Sequence, residues 1–302
     1  MRKKFFYDKI LLMRQLKGEI ILLFTSLIWG LAFIFQSEAA NHIGPYTFNG
    51  LRFLLGAISL LPLMGFNRHN IDLKKCLRIG IILGTCIGIA SNLQQFAIGY
   101  TSAGKAGFLT SLYMVMVPII AFLIYRQKPS KYVVISIFVA VIGLYFLCGE
   151  TSFVLETVDF ALIICAFFFA MQIIIVGKYA CDVNSVLLSL IQYIVAGLLS
   201  LVLALFFEEI NINAISNASI AILYTGIFST GVAYTLQIVG QRYTDPTIAS
   251  LLMSLESVIA AIAGYFILHE ALSQRELWGC ILMFIAVILS QMKGRKKNEN
   301  ID

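Results

Sequence analysis

Two ionisable side chains, Arg52 and Glu256, fall inside apolar stretches long enough to cross a membrane. A charge at the bilayer centre costs about 2.5 to 3.5 kcal/mol on insertion scales, so such groups usually face a cavity or a partner. Counted at about 1.5 Å per helical residue, Glu256 lies roughly 15 Å into its span and Arg52 roughly 9 Å from the outer end of its own. A carboxyl near the midplane can bind a substrate amine or carry a coupled proton, and it can equally tie two helices together. A guanidinium fork suits a carboxylate. The competing account of Arg52 is an anchor at the outer interface or a partner on another helix.

Amides and aromatics at helical spacing extend the set. Asn92 and Gln95 share one helix face, as do Tyr234 and Gln237. Amides facing lipid are expensive, so these point inward, either lining a cavity or joining helices. Trp29, beside Gly30, can stack on a substrate ring or cation. Tyr113 is the counterpart of Glu256 in an internal repeat described below. Core packing is the competing account of both. The candidate substrate-binding set is therefore Trp29, Arg52, Asn92, Gln95, Tyr113, Tyr234, Gln237 and Glu256, with Glu256 also the candidate for proton coupling. No phosphate loop, HExxH or GxSxG occurs, so no ATP-driven pump is expected within the chain. His42, His69 and His269 are scattered in loops or at helix ends. No catalytic residue, metal site or cofactor is expected.

The elements that must hold these residues are membrane helices. Of the 302 residues 60% are hydrophobic and 13% charged, against about half and a quarter in soluble domains. Apolar stretches fall near 19 to 36, 46 to 64, 77 to 98, 103 to 124, 131 to 148, 157 to 177, 185 to 207, 217 to 239, 246 to 268 and 275 to 292. The net charge of +6 does not imply nucleic-acid binding, because its distribution is that of a membrane protein. On a ten-span reading, 19 of the 22 Lys and Arg fall in the tails and on one side, while the alternate loops hold only Lys105 and Arg275. The positive-inside rule then places both termini in the cytoplasm of a multi-pass inner-membrane protein. The run from Ile20 to Phe35 exceeds a signal-peptide core of about 7 to 15 residues and reads as a retained first helix. The six cysteines lack CxxC spacing and read as reduced, small apolar residues.

The chain also matches itself. At an offset of 143, Gly88, Gln94, Tyr100, Thr101, Ser111 and Leu112 meet identical residues at Gly231, Gln237, Tyr243, Thr244, Ser254 and Leu255. A looser match at an offset of 140 sets Glu19 against Asp159, Trp29 against Phe169 and Arg52 against Gln192. Two five-helix units of odd span number must be inverted, an arrangement associated with alternating access. The fold expected is all-α and integral to the membrane, with ten transmembrane helices in two inverted five-helix repeats. Its segments are a basic tail at 1 to 18, repeats at 19 to 148 and 149 to 292, and a second basic tail at 293 to 302. Thr244-Asp245-Pro246 and Ser273 to Glu276 read as helix starts. Gly80, Gly84 and Gly88 form a small-residue ridge that permits close helix approach and suits a rocking motion.

Several stretches resemble the EamA family of the drug/metabolite transporter superfamily, and the resemblance covers nearly the whole chain. Trp29-Gly30, Arg52-Phe53-Leu54-Leu55 with Leu61-Pro62, and Tyr100-Thr-Ser-Ala with Pro118 carry it in the first half. Leu255-Glu256 and His269-Glu270-Ala271-Leu272-Ser273, with Gly279, carry it in the second. The chain departs from the pattern at Tyr125-Arg126-Gln127, where an acid is usual, and at Ser257, where proline is common. The resemblance implies export or uptake of amino acids, amines, nucleosides or related metabolites by a secondary mechanism. Export of amino acids or amines is the expected activity. Nucleoside or cationic-drug transport, an intramembrane enzyme and a channel are the alternatives. The partners expected are a small-molecule substrate, membrane lipid and a coupled proton, with no nucleic acid, in a monomer or homodimer.

Overall fold

The computed structural model describes residues 2–65, 72–101, 103–126, 128–147, 156–267 and 272–291. Cys148, Glu150, Gln127, Arg68, His69, the motif residues His269, Glu270 and Ala271, and the tail at 293 to 302 lie outside them. Among the described residues all regular structure is helical. The helices are α1 (Arg2–Ala40), α2 (Pro45–Leu60, continued by a 3-10 turn at Leu61–Gly65), α3 (Leu73–Ile98), α4 (Ala103–Ser111), α5 (Tyr113–Tyr125), α6 (Lys131–Leu147) and α7 (Thr157–Tyr179). They continue with α8 (Ser185–Phe207), α9 (Ile212–Asn217), α10 (Ser219–Tyr224), a π-helical segment (Thr225–Tyr234), α11 (Thr235–Gln241), α12 (Pro246–Met253), α13 (Glu256–Ile267) and α14 (Gln274–Gln291).

Eight of these helices, taken with their continuations, are long and apolar enough to cross a membrane. The shorter α6 is apolar over 17 residues, and α14 spends its first turn on Arg275 and Glu276. These two helices are where the structure stops short of ten crossings by length and composition. Each packs on the other, and a side chain on Gly143 or Gly279 would fall within 3.0 Å of the opposite backbone. The first helix is longer than expected, because α1 continues back to Arg2 through the basic tail. The run of Lys, Arg, Leu and Gln there favours helix and offers no proline to stop it.

Helix starts follow local chemistry. Asp245 accepts the Thr247 N–H at 2.9 Å ahead of Pro246, and Ser273 and Glu276 bond reciprocally at the start of α14. Glu208, at the end of α8, caps α2 instead of its own helix. It accepts the backbone N–H of Tyr46 and of Thr47 at 2.8 Å each, a carboxylate placed at a positive helix end.

The two repeats exchange contacts as copies should. Gly88 packs against the Cα of Ala196, and their counterparts Gly231 and Gly56 also meet. The glycine ridge of α3 lies on α8, where side chains on Gly80 and Gly84 would run into Ile191, Val195 and the Gln192 carbonyl. Cys76, Cys86, Cys165, Cys181 and Cys280 are free thiols.

Candidate functional site

The spans Lys105–Tyr125 and Pro246–Ile267 are both interrupted, and at equivalent positions. After Ser111, Leu112 bonds back to Leu109 and Val115 back to Leu112, so bonds three residues apart replace the α-helical ladder. Leu255 bonds to Leu252 and Ser257 to Ser254 in the same way. Broken helices near the midplane are where transporters of inverted-repeat design place their sites. The residues that restart these helices are Tyr113 and Glu256. They face each other, the Tyr113 hydroxyl donating to Glu256 Oε1 at 3.1 Å, and both are buried. As repeat counterparts in direct contact, they mark the axis that relates the two halves.

Around this pair lies a cavity of about 40 Å³. That is room for a few waters. Four pairs of lining residues are repeat counterparts: Trp29 with Phe169, Phe33 with Ile173, Gln94 with Gln237, and Tyr113 with Glu256. The remainder, Gln36, Arg52, Thr110, Gln172, Ser229 and Tyr234, break the symmetry.

Trp29 donates its indole N–H to the Ser229 carbonyl at 3.1 Å and meets the Tyr234 ring edge-on at 4.7 Å between centroids. Ser229 lies within the π-helical segment, a winding often found at functional sites. Gln172 and Gln237 exchange two amide bonds of 3.2 and 3.0 Å, and Gln241 donates to the Ile173 carbonyl at 2.9 Å. Gln94 donates to the Thr110 hydroxyl at 3.4 Å. Arg52, 3% exposed, has its guanidinium carbon over the rings of Phe48 and Phe53 and donates from Nη1 to Gln36 Oε1 at 3.2 Å. Neither Arg52 nor Glu256 takes part in an ion pair among the described residues.

The structure thus brings Trp29, Arg52, Tyr113, Tyr234, Gln237 and Glu256 to one cavity. It places Asn92 and Gln95 elsewhere. Asn92 accepts from Asn49 at 2.9 Å and donates to Ser200 at 2.8 Å, tying α2, α3 and α8 together. Gln95 donates to the Gln36 carbonyl at 2.9 Å and joins α3 to α1. Two lining residues absent from the sequence set, Gln94 and Phe169, are the repeat counterparts of Gln237 and Trp29. Extending the set by the repeat would have found them. Gln36, Thr110, Gln172 and Ser229 carry no such signal.

Near the N-terminal ends of α4 and α7 lies a second buried group. Lys105 Nζ and Asp159 Oδ2 are 2.8 Å apart, with side chains 5% and 0% exposed. Lys105 is therefore an interior ion-pair partner rather than a loop charge.

A model of the EamA-like transporter family matches residues 16–149 and again 157–292. An uncharacterized transporter of Archaeoglobus fulgidus is 31% identical over 283 residues, covering 93% of this chain and 87% of the relative. An uncharacterized transporter of Clostridium kluyveri is 25% identical, with 94% and 96% covered. The uncharacterized transporter YoaV of Bacillus subtilis is 20% identical, with 88% and 93% covered. A solved crystal structure aligns with TM-score 0.76 over 91% of this chain and 96% of that chain at 14% identity, a likeness of fold.

Proposed function

The chain belongs to the EamA-like transporter family, and from that premise we propose that it moves amino acids, amines or related small metabolites by alternating access, in the export direction. That it is a multi-pass membrane transporter rests on the two family matches and on its apolar helices. The reading of substrate and mechanism is supported chiefly by one observation: a cavity at the junction of two repeats is lined by a buried cation and a buried carboxyl that are not paired with each other. A zwitterionic metabolite would satisfy both.

Alternating access needs one end of the cavity to open while the other stays closed, and the lining carries side-chain bonds, Gln94 to Thr110 and Gln172 with Gln237, that can part without breaking a helix. The cavity then faces each side in turn, with Glu256 holding either a substrate ammonium or a proton. Ten crossings, an inner-membrane location and cytoplasmic termini complete the proposal, carried by the charge distribution.

The aromatic lining of Trp29, Phe33, Tyr113, Phe169 and Tyr234 favours a second reading, a cationic drug or a nucleoside. Counterflow in proteoliposomes tests both. Saturable exchange of labelled amino acid or amine against excess unlabelled compound is the expected result. No counterflow across amino acids, amines, nucleosides and cationic dyes would sink the carrier reading. Glu256→Gln should remove the pH dependence of that flux; a variant with the wild-type pH profile would release Glu256 from the coupling role.

A further inference from the structure

The guanidinium of Arg52 has two edges for hydrogen bonding, and only one is in use. Nη1 donates to Gln36 Oε1. Nε is buried and has no partner, and Nη2 makes no hydrogen bond among the described residues. The rings of Phe48 and Phe53, both fully buried, lie 5.5 and 5.1 Å from the guanidinium carbon and confine its plane. Gln36 is itself held, because its backbone carbonyl accepts from Gln95. Both Arg52 and Gln36 line the cavity.

A buried charged donor left without an acceptor is costly, and charge-assisted bonds are the strong ones. The Nε and Nη2 hydrogens of an arginine point the same way, at a separation that matches the two oxygens of a carboxylate. We propose that this free Nε–Nη2 edge is the receptor for the substrate's carboxylate, and that Gln36 is a positioning residue that occupies Nη1 and presents the edge. This rests on the transport reading and narrows it: the ligand is a carboxylate anion or amino acid, not a plain amine or nucleoside. With Glu256 across the same cavity, an α-amino acid has a partner for each charge, and a decarboxylated amine would leave Arg52 unsatisfied.

The test uses the purified full-length protein in detergent, with thermal stabilisation read for each proteinogenic amino acid against its decarboxylated amine and methyl ester. At least one free acid should stabilise, binding about tenfold or more tightly than its amine and ester. Gln36→Glu gives Arg52 an internal carboxylate. It should weaken the free acid by about tenfold or more while changing the amine little, so the acid-to-amine ratio collapses. A purely structural role for Gln36 would lower both alike. If Gln36→Glu does not fold, Arg52→Lys, which keeps the charge and loses the edge, should cost the acid a similar factor. The inference is overturned if amines or esters bind as well as acids, if no carboxylate stabilises, or if the ratio survives both variants. Counterflow separates its failure from that of the carrier reading. Amines or nucleosides exchanging without any carboxylate leaves the carrier and removes the receptor. Carboxylates stabilising the wild type alone, with no counterflow, does the reverse.

Discussion

Replacing Asp159 with Asn should destabilise the protein by about 3 to 5 kcal/mol, the usual cost of removing one partner of a buried ion pair. The two side chains are 5% and 0% exposed and 2.8 Å apart. At an effective dielectric constant of about 20, such a pair attracts by roughly 6 kcal/mol, set against a desolvation cost of several kcal/mol per ion. Asparagine keeps an acceptor for the Glu156 N–H that Asp159 now caps at 2.8 Å, so the loss is electrostatic rather than a lost cap. Lys105→Met should be comparably harmful. The double variant should recover to within about 1 to 2 kcal/mol of wild type, since neutral partners need no mutual compensation. Unfolding by SDS in mixed micelles, followed by the fluorescence of Trp29 and Trp278, measures each corner of the cycle. A single-variant loss under about 1 kcal/mol, or a double variant as unstable as the sum of its parts, would show that the pair does not carry this energy.

Three further outcomes follow from contacts already described. Gly30→Ala should cost about 1 to 3 kcal/mol in the same titration, because its new carbon would lie 2.6 Å from Ile259 and 2.7 Å from the Glu256 carbonyl. Gly107→Ala, whose nearest such neighbour is 4.0 Å away, is the tolerated control. Gln237→Leu should cost about 1 to 3 kcal/mol by leaving the Gln172 amide unmatched, with most of that regained in the Gln172→Leu, Gln237→Leu double variant. Arg126 ends α5 at φ 57°, a conformation glycine adopts without penalty, so Arg126→Gly should raise stability by about 0.5 to 1 kcal/mol, visible as a higher melting temperature.

Much of the architecture was legible because membrane helices announce themselves by apolar length, and the repeat by residues such as Gln94-Gln237 and Ser111-Ser254. What escaped is local. The steps after Ser111 and Ser254 carry no proline or glycine to mark them, only a Ser-Leu pair whose repetition recorded the break without explaining it. The π winding at Thr225–Tyr234 has no counterpart in the regular α3, so the repeat could not foretell it. Asn92 and Gln95 share a face as expected, yet that face meets α1, α2 and α8 rather than the cavity, because helical periodicity fixes a side and not what covers it. Gln36 gained its place only through Arg52 and Gln95, two contacts made across helices. The last helix of each repeat is the least legible as a span for a physical reason: α6 is apolar but short, and α14 opens on a polar turn in which Arg275 spends its reach on the Tyr145 carbonyl and ring.

The meeting of Tyr113 with Glu256 has a consequence for any molecule lodged beside it. A guest on the axis between two identical halves would find the same walls whichever way round it lay, and would bind in two poses of equal energy. Here one half offers a phenol where the other offers an acid, and Arg52 has only Gln192 as its opposite number. Head and tail of a guest would therefore meet different chemistry, and a chamber with only approximate two-fold symmetry would favour one orientation over the other.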